Sequence, residues 1–272
     1  MRALFVISAL LGFSVALRFM ALPALAEPSP AALHVGDRVT QSDLLGYLFS
    51  APRSGDWVRY RISFGPATVE KTIGFGSELI DGRATPFVEV RDASAAVANP
   101  PGGQSFDVGG ANIVKTYVDA AGFADLTARY AVVATVMKVG DSLYRIDERR
   151  PQTPEIAANG PLPAFSLLES IPVADLRRGL VTDVALQDLR IGTSFVHATR
   201  VTAQFQAVPE AAVPPVILIV WQSPDVPLGT VAFRAVFSDR ELAVTLEGFG
   251  RGDYQPAIAQ RLDDVRPLPG AR

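Results

Sequence analysis

The sequence is poor in the residues that most often build reactive sites: it has no cysteine and only two histidines among 272 residues. Without cysteine, disulfide bonds, thiolate metal sites, cysteine nucleophiles and an acylated N-terminal cysteine are all excluded. A zinc site would have to combine His34 or His197 with carboxylates, and no HExxH or equivalent spacing occurs. We therefore expect neither a metal nor another cofactor.

Motifs for covalent catalysis or phosphate binding are also absent. Residues 192–194 (Gly-Thr-Ser) do not form a G-x-S-x-G nucleophile elbow. The glycine-rich stretches at 74–76 and 248–252 end predicted strands outside any βαβ context, which favours bends over phosphate binding. His197 falls on the apolar side of a predicted strand, where a hydrogen-bonded core histidine is favoured over a catalytic base. No nucleophile, base and orienting group can be assembled, so we expect no enzyme activity.

The N-terminal residues have the pattern of a signal peptide for export. Arg2 supplies a positive charge, residues 3–17 are apolar, and residues 24–26 (Ala-Leu-Ala) resemble a signal-peptidase site. Arg18 interrupts this pattern, which leaves an uncleaved anchor as the alternative, and it also shortens the apolar run below the length of a spanning helix. We predict cleavage after Ala26 and a periplasmic or secreted protein.

Charge argues against a polyanionic partner. Lysine occurs only three times, and without the two arginines of the leader the chain has 23 basic and 28 acidic residues, a formal charge of −5. This balance excludes nucleic acid as an expected partner and offers no basic face for a membrane surface. No membrane-spanning segment is expected in the mature chain.

Periodicity predicts one mainly β domain. The clearest element is a hairpin within residues 216–237, where two apolar runs flank a Pro-Leu-Gly turn. From Trp57 onward apolar and polar residues alternate, as in strands with one buried face. Ten or eleven such strands are predicted, joined mostly by turns such as Asp81-Gly82, with no βαβ rhythm. A meander of this length must curl or split into two layers.

The segments between strands complete the predicted organisation. Residues 40–50 place leucines on one helical face, with Thr40 and Asp43 as a capping box, and predict a short N-terminal helix. Long loops are predicted at 93–111 and 151–179, with short helices around 165–170 and 123–129. We thus predict a signal peptide (1–26), a linker (27–39), a single β-rich domain (40–250) and an irregular tail (251–272).

Several of these features resemble the LolA/LppX-like superfamily. They are the leader, the short helix, the strand Gly-Asp-Trp-Val-Arg-Tyr-Arg at 55–61, the long meander and the late Trp-Gln-Ser-Pro-Asp-Val-Pro-Leu-Gly hairpin at 221–229. The resemblance implies a curled antiparallel half-barrel of about eleven strands, with small helices covering its concave face. It also implies a carrier that moves lipids or lipoprotein acyl chains across the periplasm.

A concave sheet with an incompletely filled apolar lining would hold a lipid or another apolar ligand. The residues predicted to line it are Tyr60, Ile62, Phe64, Phe205, Trp221, Phe233 and Phe237. An ordinary filled core explains the same residues equally well. The alternative function is then an envelope interaction module that contacts an envelope protein partner. It would use the 93–111 loop or a face of strand arginines, although a solvated face is the simpler explanation for Arg59, Arg61, Arg145, Arg149 and Arg150.

Overall fold

A computed structural model describes most of the β-rich region. The described residues are 32–40, 43–44, 47, 50–94, 112–119, 123, 132–147, 178–207 and 215–267. Residues from 33 onward belong to one compact unit. Within the described ranges, we find no helix with the length and apolar character that crossing a membrane requires.

The described strands form one antiparallel sheet whose order is β1-β8-β9-β10-β11-β12-β2-β3-β4-β5-β6-β7. The two end strands, β1 and β7, do not pair with each other, so the sheet is curled but not closed. Most neighbours in the sheet are neighbours in sequence, as expected for a meander. The strands are Arg38–Val39 (β1), Trp57–Phe64 (β2), Ala67–Ile80 (β3), Arg83–Ser94 (β4), Asn112–Val118 (β5), Val132–Val139 (β6), Ser142–Asp147 (β7), Gly179–Ile191 (β8), Ser194–Phe205 (β9), Val216–Gln222 (β10), Thr230–Val236 (β11) and Glu241–Gly250 (β12).

The prediction of a central hairpin is confirmed by β10 and β11. Val220 pairs with Phe233 across the two strands, and the strand ends are tied by a hydrogen bond from the Ser223 amide to the Gly229 carbonyl (2.8 Å). Leu228 and Gly229 both have positive φ, at 66° and 75°, so the chain reverses through a left-handed conformation that costs glycine little. Leu228 is the strained member of the pair.

Alternation along β2 also matches the prediction. Val58, Tyr60 and Ile62 are buried, whereas Arg59 and Arg61 are exposed. Each cross-strand neighbour in an antiparallel sheet shares a face with its partner, so this division extends along the pairing register from strand to strand. We call the side of Val58, Tyr60 and Ile62 the inner face and the side of Arg59 and Arg61 the outer face.

The strand count of ten or eleven was too low, since the described residues form twelve strands. The additional short strand, β1, has only two residues and lies inside the segment predicted as a linker. Two residues show no periodicity, and only pairing with Leu180 and Gly179 on β8 identifies them as a strand. A further bridge joins Arg145 of β7 to Pro267 in parallel, so the tail runs beside that edge.

The helix predictions are not confirmed. Asp43, Leu44 and Tyr47 have helical backbone, and the predicted capping contacts exist: the Thr40 amide donates to Asp43 Oδ2 (2.7 Å), and the Asp43 amide donates to Thr40 Oγ1 (3.1 Å). The intervening residues lie outside the described ranges. So do the helix predicted at 165–170, all but Phe123 of the helix predicted at 123–129, and residues 95–111 of the predicted loop.

Two apolar clusters cover the two faces of the sheet. The larger cluster lies mainly on the inner face, draws on nearly every strand, and includes Leu44 and Tyr47. It also includes Val196 and Ala198 of β9. The smaller cluster lies on the outer face of β4–β6, where the segment 253–267, here called the C-terminal strap, packs across the sheet. Leu262–Asp264 form a single 3₁₀ turn within the strap. Residues 253–267 of the segment predicted as an irregular tail therefore have a largely irregular backbone but pack against the sheet.

Candidate functional site

The inner face consists of a packed half and a more open half. The packed half lies on β2 and β8–β12 and contains five of the residues predicted to line a cavity, all of them less than a tenth exposed. The Tyr60 hydroxyl donates to the Thr230 carbonyl at 2.8 Å, and burial raises the pKa of Tyr60 above its usual value. The five residues are Tyr60, Ile62, Phe205, Phe233 and Phe237.

Trp221 packs against the same apolar cluster, but the register places it on the outer face of the sheet. Trp221 pairs with Arg200 and Ala232, which lie on the outer face, and its Nε1 donates to Gln187 Oε1 at 2.7 Å. Phe64, the remaining predicted residue, lies in β2 opposite Leu242. The side chain of Phe64 lies outside the described part of the structure.

The end of the β8–β9 hairpin explains the position of Trp221. Both strands extend beyond the end of β10, and a Cβ on Gly192 at their turn would lie 4.0 Å from the Glu247 carbonyl oxygen of β12. Val196 and Ala198 are fully buried here, although the register places them on the outer-face side. The hairpin end therefore bends over the outer face and covers Trp221.

This bend exposes the other side of the hairpin end. Phe195 is 72% exposed and Leu186 is 85% exposed, although both share the face of Val201 by register. The prediction that His197 belongs to the core was wrong for the same reason. Its side chain is 81% exposed and pairs with Asp188 through Nδ1 at 2.5 Å. Alternation assigned the face correctly, but a bent hairpin buries the opposite face.

The open half of the inner face lies on β3–β7. The pairing register aligns two rows of side chains across these strands. In both rows burial decreases toward β7: the members on β3 and β4 are buried, whereas those on β6 and β7 are half-buried. Phe123 contacts Phe75 edge to face, with ring centroids 6.0 Å apart. One row is Ile73, Val90, Val114, Met137 and Tyr144; the other is Phe75, Val88, Thr116, Thr135 and Ile146.

Thr116 is a polar interruption in the second row. Val88 and Thr135 are its direct cross-strand neighbours, and Thr116 is fully buried. Its Oγ1 atom has no hydrogen-bond partner among the described residues. A buried hydroxyl that makes no hydrogen bond costs about 1–3 kcal/mol. Valine has nearly the same shape and would avoid that cost, so the hydroxyl is not explained by packing.

A single ion pair lies on the described inner face of β3–β7. Lys71 and Asp92 are direct cross-strand partners, with Lys71 Nζ 3.2 Å from Asp92 Oδ1. Lys71 is opposite Tyr60 of β2 and lies between the apolar Val69 and Ile73 on the inner face of β3. Because the ammonium is already paired, this surface presents no unpaired cation to a charged ligand within the described strands.

A second group of polar side chains lies beneath the C-terminal strap on the outer face. Glu89 of β4 is fully buried and accepts four hydrogen bonds. The donors are the Tyr254 hydroxyl (2.6 Å), the amides of Ala257 (2.8 Å) and Ile258 (3.1 Å), and Arg91 Nε (2.9 Å). Burial, together with the bond to Glu89, raises the pKa of Tyr254 above its usual value. One carboxylate thus binds the strap through both side chain and backbone.

Lys115 of β5 extends this network. It is fully buried, forms an ion pair with Glu78, and donates to the Ile258 carbonyl at 3.1 Å. Its Nζ also lies 4.2 Å from the ring centroid of Phe87. The Tyr117 hydroxyl donates to Glu78 Oε2 at 2.7 Å, and burial raises the pKa of Tyr117. Each ionised group has a partner, so this network serves to hold the strap.

The arginines that could form a binding face make different contacts in the structure. Arg61 forms ion pairs with Glu247 and, at 3.7 Å, with Glu70, while Arg59 is exposed. Arg145 Nη1 donates to the Leu262 carbonyl of the strap at 3.1 Å. Arg149 and Arg150 lie outside the described residues. In the described part of the chain no three His, Cys, Asp or Glu side chains cluster as a metal site would require.

Sequence reasoning missed the network beneath the strap, although one signal was available. On β5, Ile113, Lys115 and Tyr117 alternate with Val114, Thr116 and Val118, so neither face of the strand is predominantly polar. A strand that is apolar on both sides is covered on both sides. This pattern predicts a cover for the outer face but does not identify the strap as that cover.

No family model matches the chain, and a search of the curated proteins finds no significant match. Three solved structures align with most of the chain, each with a TM-score of 0.30. LprF from Mycobacterium bovis is 10% identical and the alignment covers 77% of this chain and 89% of that protein. A predicted lipoprotein from Parabacteroides distasonis is 8% identical (75% and 98%), and a hypothetical protein from Chlamydia trachomatis is 11% identical (82% and 99%). A TM-score this low establishes neither a shared fold nor a shared function.

Proposed function

We propose that this chain is an exported binding or carrier protein that holds a lipid or another apolar ligand against the inner face of its curled sheet. The observation that carries the proposal is the open half of that face. Val114, Met137 and Ile146 remain half-buried there, beside a fully packed apolar cluster. A concave apolar surface with few polar groups is typical of small-molecule sites.

The packed half limits where a ligand can bind. Tyr60, Phe205 and Phe233 already contact other side chains of the chain and leave almost no accessible surface. The ligand is therefore expected along β5–β7 rather than at the residues chosen from sequence. The leader and the LolA/LppX-like sequence features are consistent with a carrier outside the cytoplasm.

Native mass spectrometry of the purified mature protein, followed by organic extraction, tests the proposal. We expect co-purified lipid, and we expect Met137→Trp to lower its amount by filling the open half. Leu180→Trp is the matched control, because Leu180 is an apolar residue on the outer face that is 47% exposed. A protein free of lipid that also takes up no fluorescent apolar probe would contradict the carrier function.

The second candidate function is an envelope interaction module without a ligand. The observation that favours it is the bent end of the β8–β9 hairpin, where Leu186 and Phe195 are exposed to an extent unusual for large apolar residues. A delipidated protein that enriches one envelope protein in a pull-down, and loses it after Leu186→Ser and Phe195→Ser substitution, would favour this function. Leu79→Ser, at a 62% exposed site in β3, is the control.

A further inference from the structure

Thr116 is the one fully buried polar side chain on the described inner face of β3–β6, and its Oγ1 makes no hydrogen bond within the described structure. Asp92 Oδ1 also makes no hydrogen bond, but it is ion-paired with Lys71. Its side chain shares a row with Phe75, Val88, Thr135 and Ile146. All of these except Thr135 are apolar. Threonine at this position keeps the branched shape that suits a strand and adds a single hydroxyl to an apolar surface.

The absence of a partner points to something outside the chain. Buried hydroxyls in folded proteins nearly always make a hydrogen bond, so one that makes none marks a place for water or for a ligand group. A lone water would need two to four polar partners. Thr116 Oγ1 has none among the described residues, and only Thr135 adjoins it as a polar neighbour in its row.

Chemistry restricts what the hydroxyl can bind. A hydroxyl both donates and accepts, so it matches an ester carbonyl, an amide or another hydroxyl. An ionised head group would need a cation in this low-dielectric setting. Lys71, the cation on the described inner face of these strands, is already paired with Asp92.

We infer that Thr116 is the hydrogen-bonding anchor for an uncharged polar group, such as an ester or a hydroxyl, of an otherwise apolar ligand. This inference rests on the proposed carrier function and makes it more specific. The ligand is an uncharged amphiphile rather than a hydrocarbon or a free acyl carboxylate. Its polar group lies above β5 and its chain extends along the half-buried residues of β6 and β7.

Displacement of the neutral fluorescent probe N-phenyl-1-naphthylamine by three compounds tests the inference. Methyl oleate and oleyl alcohol carry the uncharged polar group, and 1-octadecene lacks it. For Thr116→Val we expect affinity for the two polar compounds to fall by about 3- to 10-fold, the value of one neutral hydrogen bond, with affinity for 1-octadecene unchanged.

Two further variants make the result specific. Thr116→Ser retains the hydroxyl and should bind the polar compounds as the wild type does. Thr72→Val, on the outer face of β3 opposite Arg59 and Arg91, should change nothing. The unfolding midpoint of each variant without ligand confirms folding, and Thr116→Val should be at least as stable as the wild type.

The outcomes separate the two proposals. Equal affinity of the wild type and Thr116→Val for methyl oleate and oleyl alcohol overturns the anchor while leaving the carrier function intact. Failure of the wild type to take up the probe or any of the three compounds overturns both. Weaker binding of 1-octadecene to Thr116→Val would also overturn the anchor, because it would show a general loss of the site.

Discussion

The central residues of β4 and β5 are buried on both faces, but the two faces are buried by different chemistry. On the inner face, Val88, Val90 and Val118 pack against other apolar side chains. On the outer face, the fully buried Glu89 and Lys115 pair with groups of the strap and of neighbouring strands. Apolar packing requires only volume and shape, whereas paired charges require particular partners at particular positions.

This difference shows which contacts fix the position of one segment relative to another. Glu89 accepts hydrogen bonds from two consecutive backbone amides of the strap, at Ala257 and Ile258. A shift of the strap by one residue would break both bonds and leave the buried carboxylate with Arg91 of its own strand as its ion-pair partner. We infer that the outer-face network fixes the position of the strap. Among the described residues, the inner face of β3–β7 has one ion pair, between Lys71 and Asp92, and no comparable network of buried charges.

The largest expected effect comes from removing the buried carboxylate. Glu89→Ala leaves Arg91 Nε, the Tyr254 hydroxyl and two strap amides without their carboxylate acceptor. We expect it to lower the free energy of unfolding by about 3–5 kcal/mol, as for a broken buried ion pair. Denaturant unfolding measures this loss. The control Glu70→Ala removes a partly exposed partner of Arg61 and should cost under about 1 kcal/mol. Similar losses for both variants would contradict the special role of the outer face.

An intermediate effect is expected where the strap meets the sheet. A Cβ at Gly74 would overlap the Tyr254 ring, so Gly74→Ala must displace the strap. We expect destabilisation of about 1–3 kcal/mol, typical of overpacking. We also expect faster tryptic cleavage at Arg261 with unchanged ligand binding at the inner face. At Gly248 the nearest atom would be 3.5 Å away, so Gly248→Ala serves as the control. Loss of ligand binding in Gly74→Ala would show that the two faces are coupled.

The smallest effect concerns alkaline pH. The pKa values of Tyr60, Tyr117 and Tyr254 are raised, chiefly by burial. The folded state therefore keeps these phenols neutral, while the unfolded chain ionises them near pH 10. Their stabilising contribution is fully present below about pH 10 and is lost as pH rises above it. Half a pH unit above pH 10, each group should lower the free energy of unfolding by under about 1 kcal/mol.

Ultraviolet titration of the tyrosines checks this expectation. In the folded protein fewer than the six tyrosines of the chain should ionise near pH 10, and all six should do so in denaturant. Tyr60→Phe and Tyr254→Phe distinguish the faces, since each removes one late-titrating group. Six normal tyrosines in the folded protein would contradict the burial of both faces.

Local sequence patterns predicted much of the strand arrangement, but none of the seven residues predicted to line a cavity lies on β3–β7, the open half of the inner face. Alternation identified the inner-face positions of Tyr60, Ile62, Phe205 and Phe233, and glycine and proline marked the turn between β10 and β11. It did not separate the packed half of the inner face from the open half. Packing depends on which strands meet after the sheet curls, and no local period records that.

Trp221 and His197 show most clearly that alternation does not predict which face of a strand is buried. The prediction placed both on the buried inner side. The bent end of β8–β9 instead covers Trp221 on the outer face and exposes His197. A bend in a hairpin reverses which side is buried without changing the alternation of its residues.

The sequence by itself determined the strands, their turns and the residues that share a face, because these follow from a period of two and from the φ preferences of a few turn residues. The tertiary structure alone decided what covers each face. Glu89 meets Ala257 across 168 positions of the chain, and Lys115 meets Ile258 across 143. Whether a charged strand residue is solvated or buried depends on such distant partners, since burial is a property of the contact and not of the residue.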